Sequence, residues 1–197
     1  AGLADDLRGR GIAVFGPSRE AARLESSKAF AKDFMLRHGI PTAQYRVFNE
    51  HQHHEARDYV AAHTLPVVIK ADGLAAGKGV TVAETHRVAL EALDAAFDGK
   101  YGTAGRSIVV EEFMQGEEAS VFAICDGERF LTLATAQDHK RIGDGDTGEN
   151  TGGMGAYAPA PIVTVDVLRR VEELIITPTL KGMKAEGKPF VGCLYVG

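Results

Sequence analysis

The sequence has little cysteine, no tryptophan and no long apolar run. Two cysteines stand among 197 residues, Cys125 and Cys193. Each lies inside an apolar stretch, SVFAICDG and PFVGCLYVG, so both read as buried, reduced thiols. Neither has a Cys or His neighbour at zinc-ligand spacing, which excludes a disulfide scaffold and a zinc finger. No segment approaches the ~20 apolar residues of a membrane span, and no basic-then-apolar signal opens the chain. A cationic surplus is missing as well: 22 Lys and Arg stand against 27 Asp and Glu, for a formal net charge of -5 and a pI near 5.8. That balance argues against general binding of nucleic acid or of anionic membranes. The absences together point to a reducing, cytoplasmic setting.

What is present is an ordinary globular composition, 45% hydrophobic and 25% charged, with 23 glycines. The opening AGLADDLRGRGIAVFGPS reads as a helix, a short strand GIAVFG and a Pro turn. Residues 17–38 follow a helical pattern, with Leu24, Ala31, Phe34 and Met35 able to share a face; Gly39 and Pro41 end it. YRVF reads as a short strand and NEHQHHEARDYVAAHT as a polar helix. Strand LPVVIKAD, a glycine turn, strand GVTVAE and helix THRVALEALDAAFDG, with Thr85 as N-cap, come next. SIVVEEFM, EEASVFAICDG and RFLTLATAQ read as three consecutive strands. Residues 143–160 are too glycine-rich for a regular element, and VTVDVLRRVEELIITPTLKGMKAEG is a long amphipathic helix interrupted by Pro178. The final PFVGCLYVG reads as an interior strand. Strands grouped in antiparallel neighbours with helices between them make an α+β class.

Four stretches could carry chemistry. ADGLAAGKGV (71–80) is a glycine-rich turn after an apolar strand, where bare backbone N–H groups can approach an anion. It is not a P-loop: three residues separate Gly73 from Gly77, and Lys78 is followed by Gly79 instead of Ser or Thr. A tight hairpin turn and a phosphate loop both fit it. Lys70 closes an otherwise apolar strand, where its charge either finds an anionic partner or snorkels to solvent. EEFMQGEE (111–118) is either a solvated acidic face or a hinge strand whose backbone reads an adenine edge while one carboxylate takes the ribose. QDHKR, from Gln137 to Arg141, packs an acid, an imidazole and two cations ahead of a long glycine-rich loop. Such a set can stabilise phosphate charge and a developing oxyanion. A calcium loop on Asp144 and Asp146 fails, because Gly148, Glu149 and Gly155 fall where ligands and the turn glycine belong. His51 and His54, at i, i+3, could chelate a metal but read as the start of an exposed polar helix.

The strings GPSREAARLESSKAFAKDF, VVIKADGLAAGKGV, VVEEFMQGEEAS, ATAQDHKRIGDGDTGENTGGMGAYAPAP and PTLKGMKAEGKPFVGCLYVG, in this order, resemble the phosphoribosylamine–glycine ligase family of ATP-grasp enzymes. The resemblance implies an ATP-grasp fold, with the nucleotide between two α+β lobes. Residues 18–48 and 116–197 would form the larger lobe and 49–115 the smaller, whose 73–79 turn is a flap over the phosphates. Residues 1–17 would be the tail of a preceding domain. It further implies ligation of glycine to 5-phosphoribosylamine through glycyl phosphate, giving glycinamide ribonucleotide, ADP and phosphate.

By the same resemblance Lys28 and Lys70 are the phosphate lysines, and Gly73, Gly77, Lys78 and Gly79 belong to the flap. Glu111, Glu112, Phe113 and Met114 form the hinge strand, and Glu118 takes the ribose. Arg141 and Asn150 lie near the phosphates, and Asp138, His139 and Lys140 serve the acceptor pocket. The cofactors implied are ATP and Mg²⁺ (or Mn²⁺), with the metal ligands expected beyond Gly197. The chain is therefore expected to be the central part of such an enzyme, inactive alone. Another ATP-grasp carboxylate–amine ligase and a non-catalytic nucleotide-binding module remain as alternatives.

Overall fold

The computed structural model describes residues 2–73, 79–145 and 147–197, with the backbone alone at 140, 149, 150 and 154. They gather into two compact units, one of Ala22–Gln115 and one of Gly2–Ala21 with Gly116–Gly197. Among the described residues every strand pairing is antiparallel.

The chain opens with helix α1 (Leu3–Arg8), in the second unit. GIAVFG is not a strand. Arg8 donates to the carbonyls of Val14 and Gly16, the latter at 2.6 Å, so a side chain takes backbone acceptors that a neighbouring strand would otherwise use. The helical pattern of 17–38 is broken in two, α2 (Arg23–Ser26) and α3 (Lys28–Arg37). The break is Ser27, extended at φ -138°, whose hydroxyl accepts from the Phe30 N–H as the N-cap of α3.

The first unit is a four-stranded sheet in the order β1 (Tyr45–Asn49), β4 (Ser107–Glu112), β2 (Val67–Ala71), β3 (Val80–Ala83). Helices α4 (His53–Ala62) and α5 (His86–Ala95) cover one face, where Phe48, Val60, Val67, Ile69, Leu93, Ile108 and Val110 form the core. Thr85 caps α5, accepting from the Val88 N–H. Period-two alternation sends Val68, Lys70, Val109 and Glu111 to the opposite face, and these too are buried or half-buried. That is why LPVVIK reads as a continuous apolar run. The sequence reading groups 18–48 with 116–197, whereas here 22–48 gathers with 49–115, because β1 pairs with β4 from Tyr45↔Glu111 to Asn49↔Ser107.

In the second unit β5 (Val121–Asp126) is flanked by β6 (Phe130–Thr132) and β9 (Val191–Val196). Val121, Ala123, Cys125 and Leu194 are buried, as are Ile176, Leu180 and Met183 from the long helix. That helix runs as α6 (Val165–Val171), a π-turn over Glu172–Ile176 and α7 (Thr177–Ala185), with Pro178 in the first turn of α7, directly after the π-turn. RFLTLATAQ is not one strand: Phe130–Thr132 form β6, Ala136 makes an isolated bridge with Ser120, and Gln137 opens the next strand. QDHKR instead lies inside β7 (Gln137–Gly143), which pairs with β8 (Thr147–Tyr157). The glycine-rich stretch is therefore regular, against the sequence reading. A ladder needs only backbone groups, two register shifts absorb the misfit, and Gly145 and Gly148 supply φ of 71° and 83° near the turn.

Cys193 corrects another expectation. It is exposed, because β9 pairs only with β5 in this sheet and turns alternate residues outward. Cys125 is buried, and burial pushes its thiol up to about 11. Brief iodoacetamide treatment of the native protein at neutral pH should alkylate Cys193 and spare Cys125, as read by peptide mass spectrometry. Phe48→Ala should lower unfolding free energy by about 3–5 kcal/mol in urea titration, by opening a cavity under α4.

Candidate functional site

The site in the first unit starts from strand register. Val68 lies opposite Glu111 and Lys70 opposite Val109, so Lys70 and Glu111 are diagonal neighbours on one face of the sheet. Lys70 Nζ donates to Glu111 Oε2 at 2.7 Å. Lys32, from α3, approaches the same oxygen at 3.3 Å. It also donates to Thr42 Oγ1 at 2.7 Å and to the Ala43 carbonyl at 3.4 Å. The side chains of Glu111, Lys32 and Lys70 are 4%, 10% and 27% exposed. Glu111 Oε1 is buried with no partner among the described residues.

A second cluster joins α3 to the base of the glycine segment. Asp72 accepts from the Ala29 N–H at 2.7 Å and from the Ser27 hydroxyl at 3.1 Å, so a residue 43 positions away in sequence caps the helix. Lys28 Nζ donates to the Ala71, Asp72 and Gly73 carbonyls at 2.9, 3.4 and 3.3 Å. Gly79 O accepts from Ala71 N at 2.8 Å, closing the β2–β3 hairpin around 74–78. A Cβ on Gly73 would come within 2.9 Å of the Ala104 side chain, so only glycine allows this approach. Beside Gly73 opens a cavity of about 390 Å³, lined in part by Ser26, Asp72, Tyr101, Thr103 and Arg106. Burial lowers the pKa of Lys28 and of Lys32 below the usual lysine value. Asp72 opposes the shift at Lys28, Glu111 opposes it at Lys32, and the neighbouring Lys70 adds to it at both. Three ammonium groups thus crowd one half-buried region.

Lys28, Lys70, Gly73 and Glu111 are accordingly brought together, and Gly79 closes the segment. Gly77 and Lys78 lie outside the described residues. Glu112 faces away from this cluster's centre: its carboxylate accepts from the Gln44 N–H at 2.8 Å. Phe113 and Met114 follow the end of β4 with 39% and 66% exposure. Glu118 is exposed and belongs to the second unit, as do Asp138, His139 and Arg141 on β7. Arg141 pairs in register with Asn150, and the His139 ring lies 5.2 Å from that of Tyr157. The Tyr157 hydroxyl in turn bonds buried Gln137. The side chains of Lys140 and Asn150 lie outside the description.

The family model for the phosphoribosylglycinamide synthetase ATP-grasp (A) domain matches residues 26–197. The chain belongs to this family. It is 59% identical over 197 residues to phosphoribosylamine–glycine ligase of Agrobacterium fabrum, all of this chain aligning with 46% of that protein. The chloroplastic phosphoribosylamine–glycine ligase of Arabidopsis thaliana is 55% identical over 198 residues, with all of this chain matched to 37% of that one. The crystal structure of the Thermotoga maritima phosphoribosylamine–glycine ligase superposes with a TM-score of 0.85 at 40% identity, over 93% of this chain and 46% of that one. The chain thus spans about half the length, or less, of the relatives it matches.

Within this ATP-grasp domain, sequence reasoning passes over Lys32 and Asp72. Lys32 looks like a solvated helix lysine, and Asp72 like an ordinary turn residue; the partners of both are remote in sequence. Asp72→Ala should destabilise the domain by about 1–2 kcal/mol in urea titration, with Asp72→Asn losing much less, since Asn also caps.

Proposed function

We propose that this domain binds ATP and serves the ligation of glycine to 5-phosphoribosylamine, giving glycinamide ribonucleotide, ADP and phosphate. The observation that carries the reading is the crowding of Lys28, Lys32 and Lys70 around one buried carboxylate and Asp72. Half-buried cations in excess of their counter-ions favour a bound polyanion. The names of the relatives supply the substrates.

In this reading Lys70 and Lys28 face phosphate oxygens, while the Gly73–Gly79 segment, with Gly77 and Lys78, covers them. Glu111, Glu112, Phe113 and Met114 hold the adenine by the backbone at the end of β4, and Glu118 takes the ribose hydroxyls. Arg141 and Asn150 lie near the phosphates, where Arg141 neutralises charge as the glycine carboxylate attacks phosphorus, and Asp138, His139 and Lys140 serve the acceptor pocket, where the amine then displaces phosphate. The domain's contribution is positioning, charge neutralisation and exclusion of water. Among the described residues no three His, Cys, Asp or Glu side chains gather to hold a cation, and no residue of this chain is assigned to Mg²⁺ or Mn²⁺. Among them, too, no helix is long and apolar enough to cross a membrane. We assign the reaction to the cytoplasm, with small-molecule substrates and no nucleic-acid partner.

The test is ADP release by the full gene product from Mg-ATP, with glycine and 5-phosphoribosylamine supplied singly and together. Release that needs both is the expected result; equal release with a different amine acceptor would move the chain to another ligase of the same fold, and ATP binding without turnover would make it a binding module. Lys70→Ala should raise the Kd for ATP by about tenfold or more. Unchanged affinity in that variant removes Lys70 from the site.

A further inference from the structure

Lys32 is given no contact with the nucleotide in the reading above, yet its side chain is among the most buried of the charged groups. Its ammonium is anchored three ways, to Thr42 Oγ1, to the Ala43 carbonyl and to Glu111 Oε2. The contrast with Lys70 is sharp. Glu111 is the one partner of Lys70 among the described residues, and Lys70 is the more exposed of the two lysines. Both cations share Oε2, since Oε1 has no partner there. The compensation of a carboxylate 4% exposed therefore runs through a single oxygen and two lysines, one fixed and one hung from a single contact.

An anion arriving at Lys70 competes with Glu111 for that ammonium. Were Lys70 the sole counter-ion, its departure would leave a buried, unpaired carboxylate, which is among the costliest changes a protein interior can undergo. A second cation that stays in place removes that cost. We infer that Lys32 is a positioning residue for nucleotide binding: it remains on Glu111 as resident counter-ion, and so frees Lys70 to turn to a phosphate. This rests on the ATP-binding reading of the same site. Lys32 touches no substrate in this scheme and acts only through Glu111. The burial that lowers the Lys32 pKa, opposed by Glu111, fits a lysine kept charged by this carboxylate.

The experiment measures the Kd for ATP by calorimetry in the full gene product, with thermal melts alongside, for wild type, Lys32→Met, Lys32→Arg, Glu111→Gln and the Lys32→Met/Glu111→Gln pair. Lys32→Met should raise the Kd about tenfold at a temperature where it is fully folded, because Lys70 must then stay on the carboxylate. Lys32→Arg should restore binding to within about threefold, and so should the double variant, since a neutral amide no longer holds Lys70. A purely structural lysine would lower the melting temperature of Lys32→Met and leave the Kd of the folded protein where it was; that result overturns the inference. A loss that persists in the double variant overturns it as well. If Lys32→Met does not fold, Lys32→Gln takes its place at a temperature where it is folded: a Kd for ATP raised about tenfold supports the inference, and an unchanged Kd sinks it. Failure of the wild type to bind ATP would instead bring down the underlying reading, and this inference with it.

Discussion

A carboxylate that water hardly reaches can persist only if cations are built around it, and in the first unit the arrangement of four elements follows from this need at Glu111. Strand β4 carries it, β2 brings Lys70 across from it, and α3 brings Lys32. The Thr42–Ala43 segment fixes Lys32 in place before β1 pairs with β4. The face of the sheet that would otherwise be a second apolar core is thereby polar at its centre. Replacing such a network with apolar side chains is often neutral or stabilising in other proteins. Its presence here is better understood through what the charges do than through what they add to stability.

The same helix ties the network to the glycine segment. Lys28 and Lys32 are one turn apart on α3 and reach different targets: the carbonyls of 71–73 and the carboxylate of Glu111. Asp72 returns the connection by capping the helix. A cation of α3 thus bonds carbonyls at the end of β2 and an anion there bonds the start of α3 in return, and neither element can shift along the other without breaking several charge-assisted bonds.

Much of this was legible in the sequence. A lysine closing LPVVIK asked for an anionic partner, and EEFMQGEE held it, though only as one acid of an ambiguous run. Thr85 announced the cap of α5. The composition of the glycine-rich stretch after QDHKR points to irregularity, whereas a two-stranded ribbon demands nothing of its side chains. Ser27 was hidden inside a helical period that Leu24, Ala31 and Phe34 carry without interruption. Cys193 looked interior because its neighbours are apolar, but strand alternation and the position of β9 at the side of β5 decide exposure, and pairing order is not written in a single strand. Lys32 and Asp72 were illegible for a plainer reason. Each is defined by a partner dozens of residues away, and local pattern carries no trace of such a partner.

The cap that Asp72 places on α3 has a consequence for how the domain could be watched. The Ala29 amide proton is held by a side chain at the base of the glycine segment, and not by its own helix. Its exchange with solvent deuterium is therefore governed by the opening of that junction, while amides deeper in α3 report on the helix itself. One backbone position thus serves as a native gauge of whether the segment's base is docked, with no label introduced and no residue changed.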